Sequence, residues 1–391
     1  MILANGGAAT RRIRVLHINS GNIYGGVETV LVTLARYASS CADMESCFAL
    51  CFRGRLSQEL TALGARLYEL GEVRISRPWT VARARRKLRS LLHREHFDLV
   101  ICHMPWSLAV LGPAVRDAGQ KLGFWAHCFH LGRNWLERLA GFTIPDLAIS
   151  NSGYTERGLA NLFRNVRAEI IYPPFATVAL RDAAEWRTRI RQQLGAAENT
   201  VVITQVSRLE ALKGHNLHLQ ALARLPETQP WACWIVGGPQ HETEEQYLSD
   251  LTKTVRDLGL ESRVRFLGQR ADVPRILAAS DIFCQPNAGG EGFGMVFVEA
   301  LWTGLPVVST RIGGATEIVD DTCGFLVESG NAARLAEVLE GLIESPELRG
   351  RLGSAGPARA LELCDPAGQL RRLDALVRET AGLTSGNQGR G

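Results

Sequence analysis

Two carboxylates eight positions apart, Glu291 and Glu299, flank a glycine-bracketed turn in the stretch GGEGFGMVFVEALWTG, residues 289–304. Upstream, DIFCQPNA (281–288) has the apolar run of a buried strand, so the two acids straddle a strand, a loop and a helix. The first turn of such a helix presents N–H groups with no intrahelical acceptor, and its aligned peptide dipoles favour an anion there. Gly292 and Gly294 carry no Cβ and allow a ligand close to the backbone. The spacing places Glu291 in the loop beside the anion and Glu299 about two turns along the helix, facing the same crevice. A ligand with phosphates in its middle and hydroxyls at both ends suits this layout, as a nucleotide sugar does.

Cations that could meet such phosphates stand in SRLEALKGH (207–215), directly after the apolar run VVITQVS. Arg208 offers a planar fork and Lys213 a point charge, and the pair is suited to neutralising a diphosphate leaving group. Ordinary solvated loop cations are the competing reading. Gly25 and Gly26 follow the first apolar run, in a spacing that is not the dinucleotide G-x-G-x-x-G pattern. They fit close contact with a phosphate or sugar, or a plain tight turn. His127, in GFWAHCFH, ends another apolar run and suits a hydrogen bond to a sugar hydroxyl or a role in placing an acceptor. A satisfied core histidine is the alternative. His127 and His130 have a metal-like spacing, but no further ligand set accompanies them, and there is no Asp-x-Asp motif to hold a cation on a diphosphate. No metal is therefore expected. Trp106, Trp125, Phe129 and Trp135 lie near strand ends, where they serve either the core or an acceptor ring.

These residues need a scaffold that brings strand ends together. RIRVLHINS (12–20), MESCFALCF (44–52), FDLVICHM (97–104), GFWAHCF (123–129) and PDLAISNS (145–152) read as short buried strands separated by helical stretches. A second set comprises TVVITQVSRL (200–209), PWACWIVGGP (230–239), SRVRFLGQ (262–269), DIFCQPNA and LPVVST (305–310). Strand and helix alternation implies parallel sheets covered on both faces. Between the sets, IYPPFATVALRD has adjacent prolines and no periodicity, and reads as a linker. The expected organisation is α/β: a Rossmann-like domain over 1–175 and another over 176–365. A helix over 366–384 packs back on the first, and a disordered tail covers 385–391. The two sheets would face one another across a cleft, with ligands at the strand C-terminal ends.

Composition sets the outer limits. The 391 residues allow two cores, and 46% apolar with 21% charged residues is ordinary for a soluble enzyme. No secretory signal is visible at the N-terminus, and the longest uncharged run, 99–115, contains His103, Pro105 and Pro113, so it reads as strand, loop and helix. Nine cysteines without a Cys-x-x-Cys pair read as reduced, mostly buried thiols of a cytoplasmic protein. Residues 1–180 carry 22 Lys/Arg against 13 Asp/Glu, a net +9, while the remainder carries 22 against 27, a net −5. Much of the excess lies in a helix bearing Arg83, Arg85, Arg86, Lys87, Arg89 and Arg94. That is either a solvated face or a docking patch for anionic lipid at the inner face of a membrane. Aromatic and basic residues do not interleave as they do in single-strand binders, so nucleic acid is not an expected partner.

Together SRLEALKG, IVGGP, VRFLGQ, EGFGMVFVE, ALWTGLPVVST and GGATEIVDDTCGFLV, in this order and spacing, resemble the retaining, family-four (group 1) glycosyltransferases of the GT-B fold. The resemblance is strongest over 207–324. It implies transfer of a hexosyl unit from a UDP- or GDP-linked sugar to a carbohydrate or glycolipid hydroxyl, in surface polysaccharide or glycolipid assembly. It implies that Glu291, with the backbone of Phe293 and Gly294, contacts the donor sugar, and that Glu299 holds the ribose. Arg208, Lys213 and the amides of Met295 and Val296 would bind the diphosphate. Gly25 and Gly26 would close over the donor, and His127 would reach the far end of the sugar. No cofactor is implied, neither metal nor pyridoxal phosphate. The chain departs from relatives at IVGGPQ and at PPFATV, which places the hinge contacts outside the pattern. A sugar-nucleotide 2-epimerase on the same fold and a non-catalytic nucleotide-sugar-binding protein are the alternatives, and Glu291 as a covalent nucleophile is the alternative mechanism.

Overall fold

The computed structural model describes residues 11–22, 25–175 and 182–383. Ile23 and Tyr24, residues 176–181 of the linker segment, and the tail called disordered (385–391) lie outside the described residues. The chain divides into two compact units, Met1–Ala176 with Asp365–Gly391, and Thr177–Cys364.

In the first unit the order is β1 (Ile13–Asn19), α1 (Gly26–Arg36), β2 (Met44–Leu50), α2 (Arg55–Ala62), β3 (Arg66–Glu69), α3 (Pro78–Arg94) and β4 (Leu99–His103). It continues with α4 (Met104–Asp117), β5 (Leu122–Ala126), α5 (Trp135–Gly141), β6 (Leu147–Ser150), α6 (Gly153–Leu159) and β7 (Ala168–Ile170). The strands form one seven-stranded sheet in the order β3-β2-β1-β4-β5-β6-β7, and every pairing is parallel. Central strands are buried on both faces, which is why they read as continuous apolar runs. Leu16 and Ile18 pack to one side with Leu88 and Leu108 of α3 and α4; Ile13 and Val15 pack to the other with Leu31 and Leu34 of α1.

The second unit runs α7 (Ala183–Gln193), β8 (Val201–Val206), α8 (His215–Leu222), β9 (Trp231–Val236), α9 (Glu242–Asp257), β10 (Val264–Gly268) and α10 (Val273–Ala279). Then follow β11 (Ile282–Gln285), α11 (Met295–Trp302), β12 (Val307–Thr310), α12 (Ala315–Ile318), β13 (Gly324–Val327), α13 (Ala332–Glu344) and α14 (Pro346–Cys364). Its six strands order as β10-β9-β8-β11-β12-β13, again all parallel. The last helix, α15 (Pro366–Thr380), belongs to the first unit. Its Leu370, Leu373 and Val377 join the apolar layer between β1 and α1, and Arg372 donates to the Ile170 carbonyl at 2.9 Å.

The α/β reading with two parallel sheets therefore holds, with additions. β3 (RLYE) and β7 (AEI) are short, partly exposed edge strands whose composition does not stand out, and β13 was not read as a strand. The uncharged run at 99–115 contains no loop: β4 turns directly into α4 at Met104, whose φ of 67° makes the bend. All nine cysteines are unpaired and eight are buried. Among the described residues no helix is long and apolar enough to cross a membrane.

Candidate active site

In the second unit, the ends of β8 and β11 converge on one ion pair. After β8 the chain makes a short 3-10 turn over Ala211–Lys213 and reaches Gly214, with φ of 72°. A Cβ at Gly214 would stand 1.7 Å from the Pro286 carbonyl oxygen, so only glycine lets the loop after β8 lie against the loop after β11. Pressed together in this way, Lys213 Nζ meets Glu291 Oε1 at 2.6 Å, with the side chains 10% and 19% exposed. The other oxygen, Oε2, accepts from Gln285 Nε2 at 3.1 Å and from Asn287 Nδ2 at 3.2 Å. Bonds to both oxygens hold the carboxylate in one orientation, an arrangement suited to gripping hydroxyls.

Buried polar side chains hold this arrangement from beneath. Gln205 of β8 donates to the Lys213 carbonyl at 2.9 Å, and its own oxygen pairs with His218 Nδ1 at 2.8 Å. Thr310 donates to the Asn287 carbonyl at 2.6 Å. On the far side, Gly314 N–H donates to the Glu291 carbonyl at 2.9 Å, and a Cβ at Gly314 would lie 2.3 Å from Phe293 O. The GGATEIV stretch thus shapes the glutamate loop by close backbone approach.

α11 begins at Met295, after Gly294 with φ of 103°. The first-turn amides of Met295 and Val296 have no intrahelical acceptor, which makes this end receptive to an anion. Phe293 is buried. Glu299 is the fifth residue of α11, a little over one turn in rather than two, because the helix starts later than the glycine spacing indicated. Burial pushes its carboxyl up to about 7. Arg208 lies apart from the Lys213–Glu291 pair in its contacts: it is 58% exposed and bonds Glu210 at 2.8 Å.

The remaining candidates belong to the first unit. Gly25 caps α1, and its N–H donates to Glu28 Oε2 at 2.9 Å; burial raises the pKa of that carboxyl. Gly26 is the first residue of α1. His127 follows β5, and its Nε2 lies 2.9 Å from His103 Nδ1; burial pushes its pKa down to about 3, so the ring is neutral. His130 pairs instead with Glu137 at 3.0 Å, so the two spaced histidines turn to different partners. Trp125 is wholly buried, in line with the core alternative, and Trp106 packs against the core. Phe129 is half-buried beside Tyr154 at 4.9 Å between ring centroids, and Trp135 is 63% exposed on α5.

Sequence reasoning missed Gln205, Gln285, Asn287, His17 and His103. The signal was present as polar residues within or just after otherwise apolar strands, an arrangement that burial penalises unless each finds a partner.

Comparison with known proteins places the chain in a family. Residues 187–359 match the family model of glycosyl transferases group 1, and residues 24–177 match that of glycosyltransferase family 4. A GDP-mannose-dependent alpha-(1-6)-phosphatidylinositol monomannoside mannosyltransferase of Mycolicibacterium smegmatis is 30% identical over 295 residues, covering 71% of this chain and 75% of that one. A related mannosyltransferase of Corynebacterium glutamicum, acting on the monoacylated monomannoside, is 34% identical over 182 residues. There the match covers 44% of this chain and 46% of the relative, about half its length. The solved structure of Anabaena HepE in complex with UDP and glucose superposes with a TM-score of 0.81 at 25% identity, over 94% of this chain and all of that one. The matched sequence blocks and the two parallel-sheet units agree, and the chain belongs to the group 1 glycosyltransferases of the GT-B fold.

Proposed function

We propose that this chain transfers a hexosyl unit from a UDP- or GDP-linked sugar to an acceptor hydroxyl, with the anomeric configuration retained. The observation that carries the proposal is the Lys213–Glu291 pair at the joined ends of β8 and β11, beside the first turn of α11. Lys213, Arg208 and the amides of Met295 and Val296 neutralise the diphosphate, Glu291 and the backbone at Phe293 and Gly294 hold the sugar, and Glu299 takes the ribose. Gly25, Gly26 and His127 are assigned to donor contact on the family resemblance. The bond from C1 to the diphosphate oxygen breaks, the acceptor oxygen bonds C1 on the face the phosphate leaves, and the acceptor's proton passes to a departing phosphate oxygen. Glu291 is a poor nucleophile in this scheme, since Lys213 and two amides engage both of its oxygens. With the cations supplied by the chain, the reaction needs no metal and persists in chelator.

The acceptor is assigned to a glycolipid or polysaccharide hydroxyl at the inner membrane face. Support comes from the relatives named for phosphatidylinositol mannosides, from the basic excess of residues 1–180, and from two aromatic surfaces on the first unit. On α3, Arg85 and Arg89 are spent on the Val110 carbonyl and Asp117, while Arg83, Arg86, Lys87 and Arg94 remain exposed along the helix that begins beside Trp79, itself 67% exposed. On α5 and just after it, Trp135, Leu139 and Phe142 share one exposed face beside Arg138. Aromatic and basic residues on one surface suit anionic headgroups. Unpaired, buried cysteines accord with a cytoplasmic location.

A thermal-shift screen against UDP- and GDP-linked sugars, followed by assignment of the product's anomeric configuration, tests the reading. Selective stabilisation by one donor and a retained product support it; inverted product, or a covalent sugar trapped on Glu291, refutes the mechanism.

A further inference from the structure

Three histidines line up through the first unit. His17 lies within β1, His103 ends β4, and His127 follows β5, with β4 between the other two strands in the sheet. His17 Nδ1 is 3.0 Å from His103 Nε2, and His103 Nδ1 is 2.9 Å from His127 Nε2. The centroids of His103 and His127 are 5.2 Å apart with planes 22° from parallel, which together with the short N···N distance describes rings meeting edge to edge. Phe48 covers His17, and Trp125 lies 5.3 Å from His103 between ring centroids. The bend at Met104, with its positive φ, sets the chain into α4 directly after His103. A non-glycine residue seldom holds that conformation unless its surroundings require it.

A row of neutral imidazoles has a direction. Each ring carries one N–H and one lone pair, so a single donated bond fixes the next. Burial keeps all three neutral near pH 7. At the inner end, His17 Nε2 is buried without a partner among the described residues. A trapped N–H is rarer in folded proteins than a trapped acceptor, so Nε2 holds the lone pair. His17 Nδ1–H therefore donates to His103, and His103 Nδ1–H donates to His127 Nε2. His127 is left with its hydrogen on Nδ1, an atom with no acceptor among the described residues.

We propose that His17 and His103 are positioning residues that lock His127 as a neutral Nδ1–H donor, so that it meets an acceptor oxygen of the donor sugar. The role at the sugar rests on the transfer reading above; the tautomer does not.

Long-range nitrogen–proton correlation spectra of the full chain, labelled at histidine and free of ligand, read the tautomers directly. All three rings should carry the hydrogen on Nδ1, against the Nε2–H form that free histidine favours in water. In His103→Ala, His127 should revert to Nε2–H, and the KM for the donor should rise about tenfold, the loss of one oriented hydrogen bond. His103→Asn, whose amide N–H can replace Nδ1–H, should restore both readouts; His103→Leu, which only fills space, should restore neither. If the alanine variant does not fold, the wild-type spectrum still decides. A donor that never perturbs His127 in an otherwise expected spectrum counts against the transfer reading and leaves the relay supported. Nε2–H or a charged ring at His127 in the wild type, or rescue by leucine alone, overturns the proposal.

Discussion

Glu299 ties nucleotide binding to pH in a calculable way. Burial raises its carboxyl from 4.5 to about 7. Hydroxyls of a ribose would hydrogen-bond the ionised form and return the group toward its ordinary range. If the bound value falls to that of a free glutamate, binding at pH 7 releases about half a proton. Only the ionised fraction is competent, about a tenth at pH 6 and nine tenths at pH 8, so affinity should rise about tenfold across that interval. Calorimetric titration of an intact nucleotide sugar, in buffers of different ionisation enthalpy, measures both quantities. The ligand's diphosphate is a diester and does not itself titrate there. Glu299→Gln should bind with no pH slope and no proton release. The same shift bears on stability: the raised value favours the folded chain fully below 4.5, and about 3 kcal/mol of that is lost as pH rises through 7. An unchanged pH slope in Glu299→Gln would refute the reasoning.

Lys213→Ala should lower stability by about 2 kcal/mol by stranding Glu291 among two amides, and Lys213→Met with Glu291→Gln should recover most of it; denaturant midpoints decide, and additivity of the two changes would contradict the pairing. Gly214→Ala should cost about 3 kcal/mol or more, because its Cβ meets the Pro286 carbonyl in a left-handed conformation, and a thermal melt near wild type would disprove that contact. Trp135→Ser with Phe142→Ser should weaken sedimentation with anionic phospholipid vesicles about tenfold or more per residue, while neutral vesicles bind neither protein; equal binding would remove α5 from the membrane account.

The parallel sheets were legible because their central strands are buried on both faces and so appear as unbroken apolar runs between glycine-rich turns. β3 and β7 were not, since an edge strand of three or four half-exposed residues needs no such composition. Lys213 and Glu291 were legible as separate charges, but their contact depends on Gly214 bringing two loops together that lie 78 positions apart. The start of α11 was misjudged because Gly292 and Gly294 both mark a turn, and only the backbone shows which one ends it. His17 and His103 look like isolated core histidines, and His127 stands out only as a lone candidate at the end of an apolar run. The line they form exists only through the register of β1, β4 and β5, which no local pattern encodes.

The most direct test is a crystal structure of the chain with the nucleotide sugar selected by the thermal screen. The pyrophosphate should lie within hydrogen-bond distance of Lys213 Nζ and of the Met295 and Val296 amides, with the sugar on Glu291 and the ribose on Glu299. A nucleotide seated elsewhere, with Lys213 and Glu291 untouched, would contradict the assignment.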